Sequence, residues 1–273
     1  MRLFDTHAHL DDEAFAHDLQ EVLQRAQSAG VVGILAVGIT LASSESAIRL
    51  AENYGQVWAA VGIHPNYAAS AQPGDWSRLE RLVEHPRVVA VGETGLDRYW
   101  HYTPFEVQED YFLRHLALAR AANRPVVIHC RDAEEDLLRV LRADYEHHGP
   151  LRGILHAFSG QASTAEVGLS LGLHVSFAGM VTYKNAEPLR QLARRIPADR
   201  LLVETDSPYL VPVPLRGRIS RNEPAHVIHT VHCLARVRQT DAEQLAQQCT
   251  ANAQRLFGLG QNCQPGLGYG TGW

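Results

Sequence analysis

Lysine is almost missing from this chain. Lys184 is the only one among 25 Lys and Arg residues, and 30 Asp and Glu residues leave a formal net charge of -5. Bulk charge therefore cannot hold a polyanion, so any contact with nucleic acid requires a local site. Cysteine is scarce too. Cys130, Cys233, Cys249 and Cys263 show no CxxC spacing, which points to neither a disulfide framework nor a thiolate zinc site and fits a reducing cytoplasm. No stretch approaches the roughly 18 uninterrupted apolar residues of a membrane span. The opening Met1-Arg2-Leu3-Phe4-Asp5 enters a strand-like run at once, with no room for a secretory signal. What the chain holds in excess is histidine, 15 in 273 residues.

Hydrophobic residues make up 45% of the chain, ample for one large core, and α/β barrels of roughly 250 residues fold as single domains. Short β-branched runs at 3–7, 31–37, 57–61, 88–91, 126–128, 153–155, 174–177 and 201–203 alternate with segments of helical period. In the first such segment Phe15, Leu19, Val22, Leu23 and Ala26 share a face, and Gly30 can end it. Thr103-Pro104-Phe105-Glu106 and Thr240-Asp241-Ala242-Glu243 read as capping boxes opening later helices. Eight strands alternating with helices predict a single (β/α)8 TIM barrel over residues 1–258. No GxGxxG follows the first strand to favour an open doubly wound sheet. The glycine-rich residues 259–273 are expected to form a flexible tail, and the proline-rich 208–224 a long loop after strand eight.

Side chains that bind metals fall at the ends of these strands. His7 and His9 form an HxH pair after strand one, and residues two apart on a strand point the same way. Glu93 follows strand four, His129 strand five, His156 strand six and Asp206 strand eight. In a barrel these ends converge on one mouth, where the active sites of this fold lie. Six nitrogen and oxygen donors suffice for two divalent ions, with a carboxylate able to bridge them. Histidine and carboxylate together accept Mg²⁺, Mn²⁺ or Zn²⁺, so the sequence leaves the ion open. His17, His85, His147 and His148 read as surface residues, and Ser176 has no base beside it for a nucleophilic triad.

The motifs carrying these residues resemble those of the TatD family of metal-dependent deoxyribonucleases. They are Asp5-Thr6-His7-Ala8-His9-Leu10, Gly62-Ile63-His64-Pro65, Gly92-Glu93-Thr94-Gly95-Leu96-Asp97 and the 125–133 run around His129. His156-Ala157-Phe158-Ser159-Gly160, Glu204-Thr205-Asp206-Ser207-Pro208-Tyr209-Leu210 and Arg221-Asn222-Glu223-Pro224 complete the set, in order, up to about Gly258. Ala8 and Ala157 stand where the family often has cysteine, and Ser207 where alanine is common; none of these is a ligand position. The resemblance implies a barrel of the amidohydrolase superfamily, metals held by His7, His9, Glu93, His129, His156 and Asp206, and hydrolysis of DNA phosphodiesters. The expected activity is a 3′–5′ exonuclease preferring single strands, because a barrel mouth suits a frayed end better than a continuous duplex.

Within that reading Glu93 bridges two ions, His7 and His9 hold one, and His129 and His156 hold the other. Asp206 is a ligand and a candidate base for the attacking water, roles that sequence does not separate. Candidate substrate contacts are His64, after strand three, and Arg131 and Arg221, because arginine grips phosphate through a bidentate fork. Tyr99, Trp100 and Tyr102 either stack on bases or cover the barrel top. DNA is the expected partner; neither a membrane nor an obligate protein partner is indicated. Related two-metal barrels bridge their ions with a carbamylated lysine, but here Glu93 supplies that charge and Lys184 follows strand seven without a ligand neighbour in sequence. A small-molecule amidohydrolase and a non-catalytic metal-binding protein remain as alternatives, since one fold hosts many activities.

Overall fold

The computed structural model describes residues 1–260. Its strands are β1 (Leu3–Ala8), β2 (Val31–Val37), β3 (Val57–Val61), β4 (Val88–Asp97), β5 (Val126–Arg131), β6 (Gly153–Leu155), β7 (His174–Phe177) and β8 (Leu201–Val203). All pair in parallel in the order of the chain. The sheet closes just past β8, where Ala8 bridges Ser207 in parallel. At that seam Asp206 N donates to His7 O (2.9 Å) and His9 N donates to Ser207 O (2.8 Å). This is the expected (β/α)8 TIM barrel. Its helices are α1 (Leu19–Ser28), α2 (Leu41–Asn53), α3 (Asp75–Leu82), α4 (Phe105–Ala121), α5 (Glu134–His148), α6 (Ala162–Ser170), α7 (Glu187–Arg195), α8 (Val227–Arg238) and α9 (Ala242–Phe257).

The barrel interior begins as an apolar plug. Phe4, Leu35, Val37, Ala60, Val127, Ile154 and Leu202 cluster with Ala253, Leu256, Phe257 and Leu259 of the C-terminal segment. The Phe4 and Phe257 rings lie 5.7 Å apart, so α9 seals the end from which the strands start. Strand alternation then carries the inward phase toward the other end. Two residues beyond Val127, Ile154 and Leu202 come His129, His156 and Glu204, so the side chains replacing the plug are polar.

Four sequence expectations are revised in detail. Strand four does not stop at 91 but runs to Asp97, with a register break between Val91 and Thr94. Gly92 and Gly95 both have positive φ there (133° and 141°), and a Cβ on Gly95 would sit 2.0 Å from His129 O. These glycines look like strand breakers in sequence, yet they are what lets β4 lie flush on β5. The box at Thr103 does not form: Pro104 is the N-cap of α4, and Thr103 Oγ1 accepts from Ala69 N (3.3 Å) instead. At α9 the cap is Asp241, which accepts from Glu243 N (2.9 Å) and Gln244 N (3.0 Å). Leu259, assigned from sequence to the tail, is buried. Residues 261–273, and with them the expectation of a flexible tail, lie outside the described residues.

Candidate metal centre

Glu93 sits at the middle of the mouth. Its Oε1 is 2.9 Å from His156 Nε2, 3.1 Å from His129 Nδ1 and 3.5 Å from His64 Nε2; its Oε2 is 3.3 Å from His7 Nε2 and 3.8 Å from His9 Nε2. Asp206, brought in by the closing seam, lies 3.4 Å from His9 Nε2 and 3.7 Å from His7 Nε2 through Oδ1. Three sets of donor atoms each fall within 4.8 Å of one another: His7, His156 and Asp206; His7, His9 and Glu93; His64, Glu93 and His129. The six residues expected as ligands are thus brought together, and His64 joins them.

The second nitrogen of each imidazole separates His64 from the others. His129 Nε2 donates to Asp97 Oδ2 (3.0 Å), His156 Nδ1 to Glu204 Oε1 (3.3 Å) and His9 Nδ1 to Val37 O (3.3 Å). A neutral ring that gives its proton to such an acceptor turns a bare lone pair toward Glu93, which is what a metal ligand needs. His64 is the reverse. Its Nδ1 accepts from Asn66 N (3.1 Å), so the proton of the neutral ring sits on Nε2 and faces the site as a donor. Proximity alone groups His64 with ligands, but its hydrogen bonding makes it a poor one. His7 Nδ1 is buried with no partner among the described residues.

The electrostatics without an ion are those of carboxylates balanced by protons. Burial resists ionisation of Glu93, but His156, His64 and His7 around it hold its carboxyl well below the usual range. Burial likewise opposes charge on His9, yet the Asp206 hydrogen bond and the charges of Asp206 and Glu93 raise it to about 9. His156 is also raised, by Glu93 and Glu204 against burial, whereas burial and the His129 charge push His64 down to about 3. A cation entering this nest would displace protons and take over their role. Two carboxylates among imidazoles with bare nitrogens suit a divalent ion of intermediate softness.

The chain from residue 4 to 258 matches the family model described as TatD related DNase. It belongs to that family. The metal-dependent hydrolase YabD of Bacillus subtilis is 40% identical over 93% of this chain and 98% of its own. The 3′-5′ ssDNA/RNA exonuclease TatD of Klebsiella pneumoniae is 38% identical over 95% and 99%. The crystal structure of the TatD homologue YJJV from Escherichia coli superposes with a TM-score of 0.88 at 31% identity, covering 95% of this chain and 99% of that one. Organophosphorus hydrolase from Deinococcus radiodurans, at a TM-score of 0.61 and 16% identity, shares the fold. As a member of the TatD-related family the chain is an enzyme, a hydrolase.

Several functional expectations meet different surroundings. Arg131 is exposed, with its guanidinium 3.6 Å over the Tyr99 ring and no carboxylate partner among the described residues. Arg221 is already engaged. It donates to Asp18 Oδ1 (2.8 Å) and Oδ2 (2.5 Å) and to Glu223 Oε1 (3.0 Å), so gripping phosphate would require breaking both pairs. Ser176 is buried 3.1 Å from Thr6 Oγ1. His17, His147 and His148 are exposed, and His85 is partly so. Two functional carboxylates escaped the sequence reading, Asp97 and Glu204, which hold His129 and His156. Their signal was present: an acidic residue in an otherwise apolar strand is too costly to bury without a partner. No helix among the described residues is long and apolar enough to cross a membrane.

Proposed function

We propose that the chain hydrolyses phosphodiester bonds of DNA, removing nucleotides from the 3′ end of single strands with two divalent ions at the barrel mouth. The observation that carries this reading is the split among the histidines. His9, His129 and His156 each give one ring N–H to a protein oxygen, so the nitrogen facing Glu93 is the one a cation can take from its proton, while His64 keeps its N–H toward the site. Ligands for cations and a neutral donor for an anionic oxygen thus stand side by side. The named activity of the TatD relative from Klebsiella pneumoniae supports the same substrate class.

In this reading His7 and His9 would hold one ion and His129 and His156 the other, with the Glu93 carboxylate available to both. Bound divalent ions would neutralise the phosphodiester and lower the pKa of water toward about 7. His64 Nε2–H donates to a phosphoryl oxygen, and its depressed pKa keeps it a neutral donor at pH 7. Asp206 accepts the proton of the attacking water. Its side chain retains 14% exposure against 3% for Glu93, so it is the carboxylate that meets solvent, and His9 and His7 hold it ionised. Arg131, exposed and without a carboxylate partner among the described residues, supplies positive charge for the strand, rather than the already paired Arg221. The compartment we assign is the cytoplasm, supported by the free thiols of Cys130, Cys233 and Cys249.

The test is incubation with a 5′-labelled oligonucleotide beside chromogenic esters and amides, each with Mg²⁺, Mn²⁺ or Zn²⁺. Stepwise shortening from the 3′ end is expected, abolished by chelation and restored by an added ion. Turnover confined to esters or amides, or full activity in protein shown to be metal-free, would overturn the reading.

A further inference from the structure

Six aromatic side chains are exposed among the described residues, and five of them, all but Tyr145, lie on loops that follow β3, β4 and β8 at the mouth. Three sit together after β4. Trp100 stacks on Tyr102 with centroids 5.3 Å apart and planes at 19°, and Tyr99 meets Trp100 edge-on at 4.8 Å. Exposures of 48%, 40% and 65% for Tyr99, Trp100 and Tyr102 leave ring faces open to solvent, which is costly for a surface serving no ligand. Arg131 covers Tyr99.

This group is tied to the metal centre by one carboxylate. Asp97 Oδ1 accepts from both Tyr99 N and Trp100 N (2.9 Å each), while Oδ2 receives His129 Nε2 (3.0 Å). The loop carrying the rings and the candidate ligand thus share a single buried anchor, which fixes the platform relative to the site of cleavage. Its occupant must present flat π faces and carry negative charge for Arg131. An unpaired nucleotide does both, whereas bases in a duplex are already stacked on one another.

We propose that Tyr99, Trp100 and Tyr102, with Arg131, form a stacking platform for unpaired bases adjoining the scissile phosphate, and that this platform is the source of single-strand selectivity. The proposal rests on the nucleic-acid reading above and deepens it.

The experiment measures binding of fluorescent oligothymidylate with hydrolysis-resistant phosphorothioate linkages to metal-loaded protein, alongside cleavage of the unmodified strand. The Trp100→Ala/Tyr102→Ala double variant should bind at least about tenfold more weakly, since stacking on one ring contributes roughly that factor or more per base. Trp100→Phe should recover most of the loss, and Tyr145→Ala on α5 should match wild type. A single abasic position near the 3′ end should weaken wild-type binding by a similar factor but add little to the double variant. Equal binding by wild type and double variant, an abasic penalty unchanged in the variant, or no binding by wild type would overturn the platform. If wild type binds, the variant does not, and no ion supports cleavage, the platform stands and the nuclease reading fails. Cleavage and binding that are both indifferent to the variant fail the platform alone.

Discussion

At the end where its strands begin, the barrel holds Phe4, Ile154, Leu202, Leu256 and Phe257 in an apolar plug. A few residues along the same strands, Glu93, Asp97, Glu204 and Asp206 crowd against five histidines. The first arrangement follows from removing apolar surface from water. The second opposes folding, because each buried charge loses hydration that only its partners offset. One end supplies stability and the other spends it on function, so changes at the two ends should fail in different ways.

The largest effect is expected at the mouth. Glu93→Ala should lower turnover by at least about 10⁴-fold, more than about 5 kcal/mol of transition-state stabilisation, and lose at least one ion by elemental analysis. Its urea midpoint should move little, since the histidines left behind can shed their protons. Phe257→Ala is the converse. It should cost about 3–5 kcal/mol in denaturant unfolding while kcat, measured where the protein is still folded, stays near wild type. If Glu93→Ala unfolds the chain, or Phe257→Ala abolishes turnover in folded protein, the division between the ends is wrong.

The positioning carboxylates sharpen the comparison. Glu204→Gln keeps the shape but weakens the hold on His156 Nδ1, so metal affinity should fall about 10–100-fold with little change in unfolding. Isothermal titration against a denaturation curve separates the two readouts. A loss of stability matching the loss of affinity would make Glu204 a structural residue only.

pH should act on the mouth through His9. Without metal its imidazolium, raised to about 9 by Asp206 and Glu93 against burial, stabilises the fold below its ordinary value of 6.5. That contribution is lost as pH rises through about 9. The metal-loaded protein has no such proton to lose, so the rise in Tm on adding metal should grow between pH 6.5 and 9. A metal-induced shift that shrinks over that window would reverse the assignment. The smallest effect belongs to Lys184→Ala, which should retain metal content and turnover within about twofold, with no response to bicarbonate. Activity that appears only when bicarbonate is supplied would overturn the proposal that Glu93 bridges the ions.

The two ends also differ in how much of them could be read from sequence. Strand phase, plug and ligand types follow from β-branched runs and from histidines at their ends, both properties of residues close in the chain. Partnerships across the chain do not. Arg221 reads as a free phosphate clamp until folding brings Asp18, 203 positions away, against it. Asp97 and Glu204 lie inside motifs that are plain in sequence, but their purpose appears only once His129 and His156 stand beside them. Strand four looked shorter than it is because two glycines that bend a strand resemble two that end one. The proton on His64 Nε2 depended on a backbone amide two residues on, a turn geometry that composition does not encode.

Lys184, exposed on the loop after β7, is the only side-chain amine in the protein. The amino group of Met1 lies at the plug end, 3.6 Å from Glu243. Among side chains, an amine-reactive dye therefore finds a single address, on the mouth side of the barrel. Labelling the native chain would place a reporter beside the entrance without a single mutation, and its signal on adding a strand would give the time course of arrival and departure.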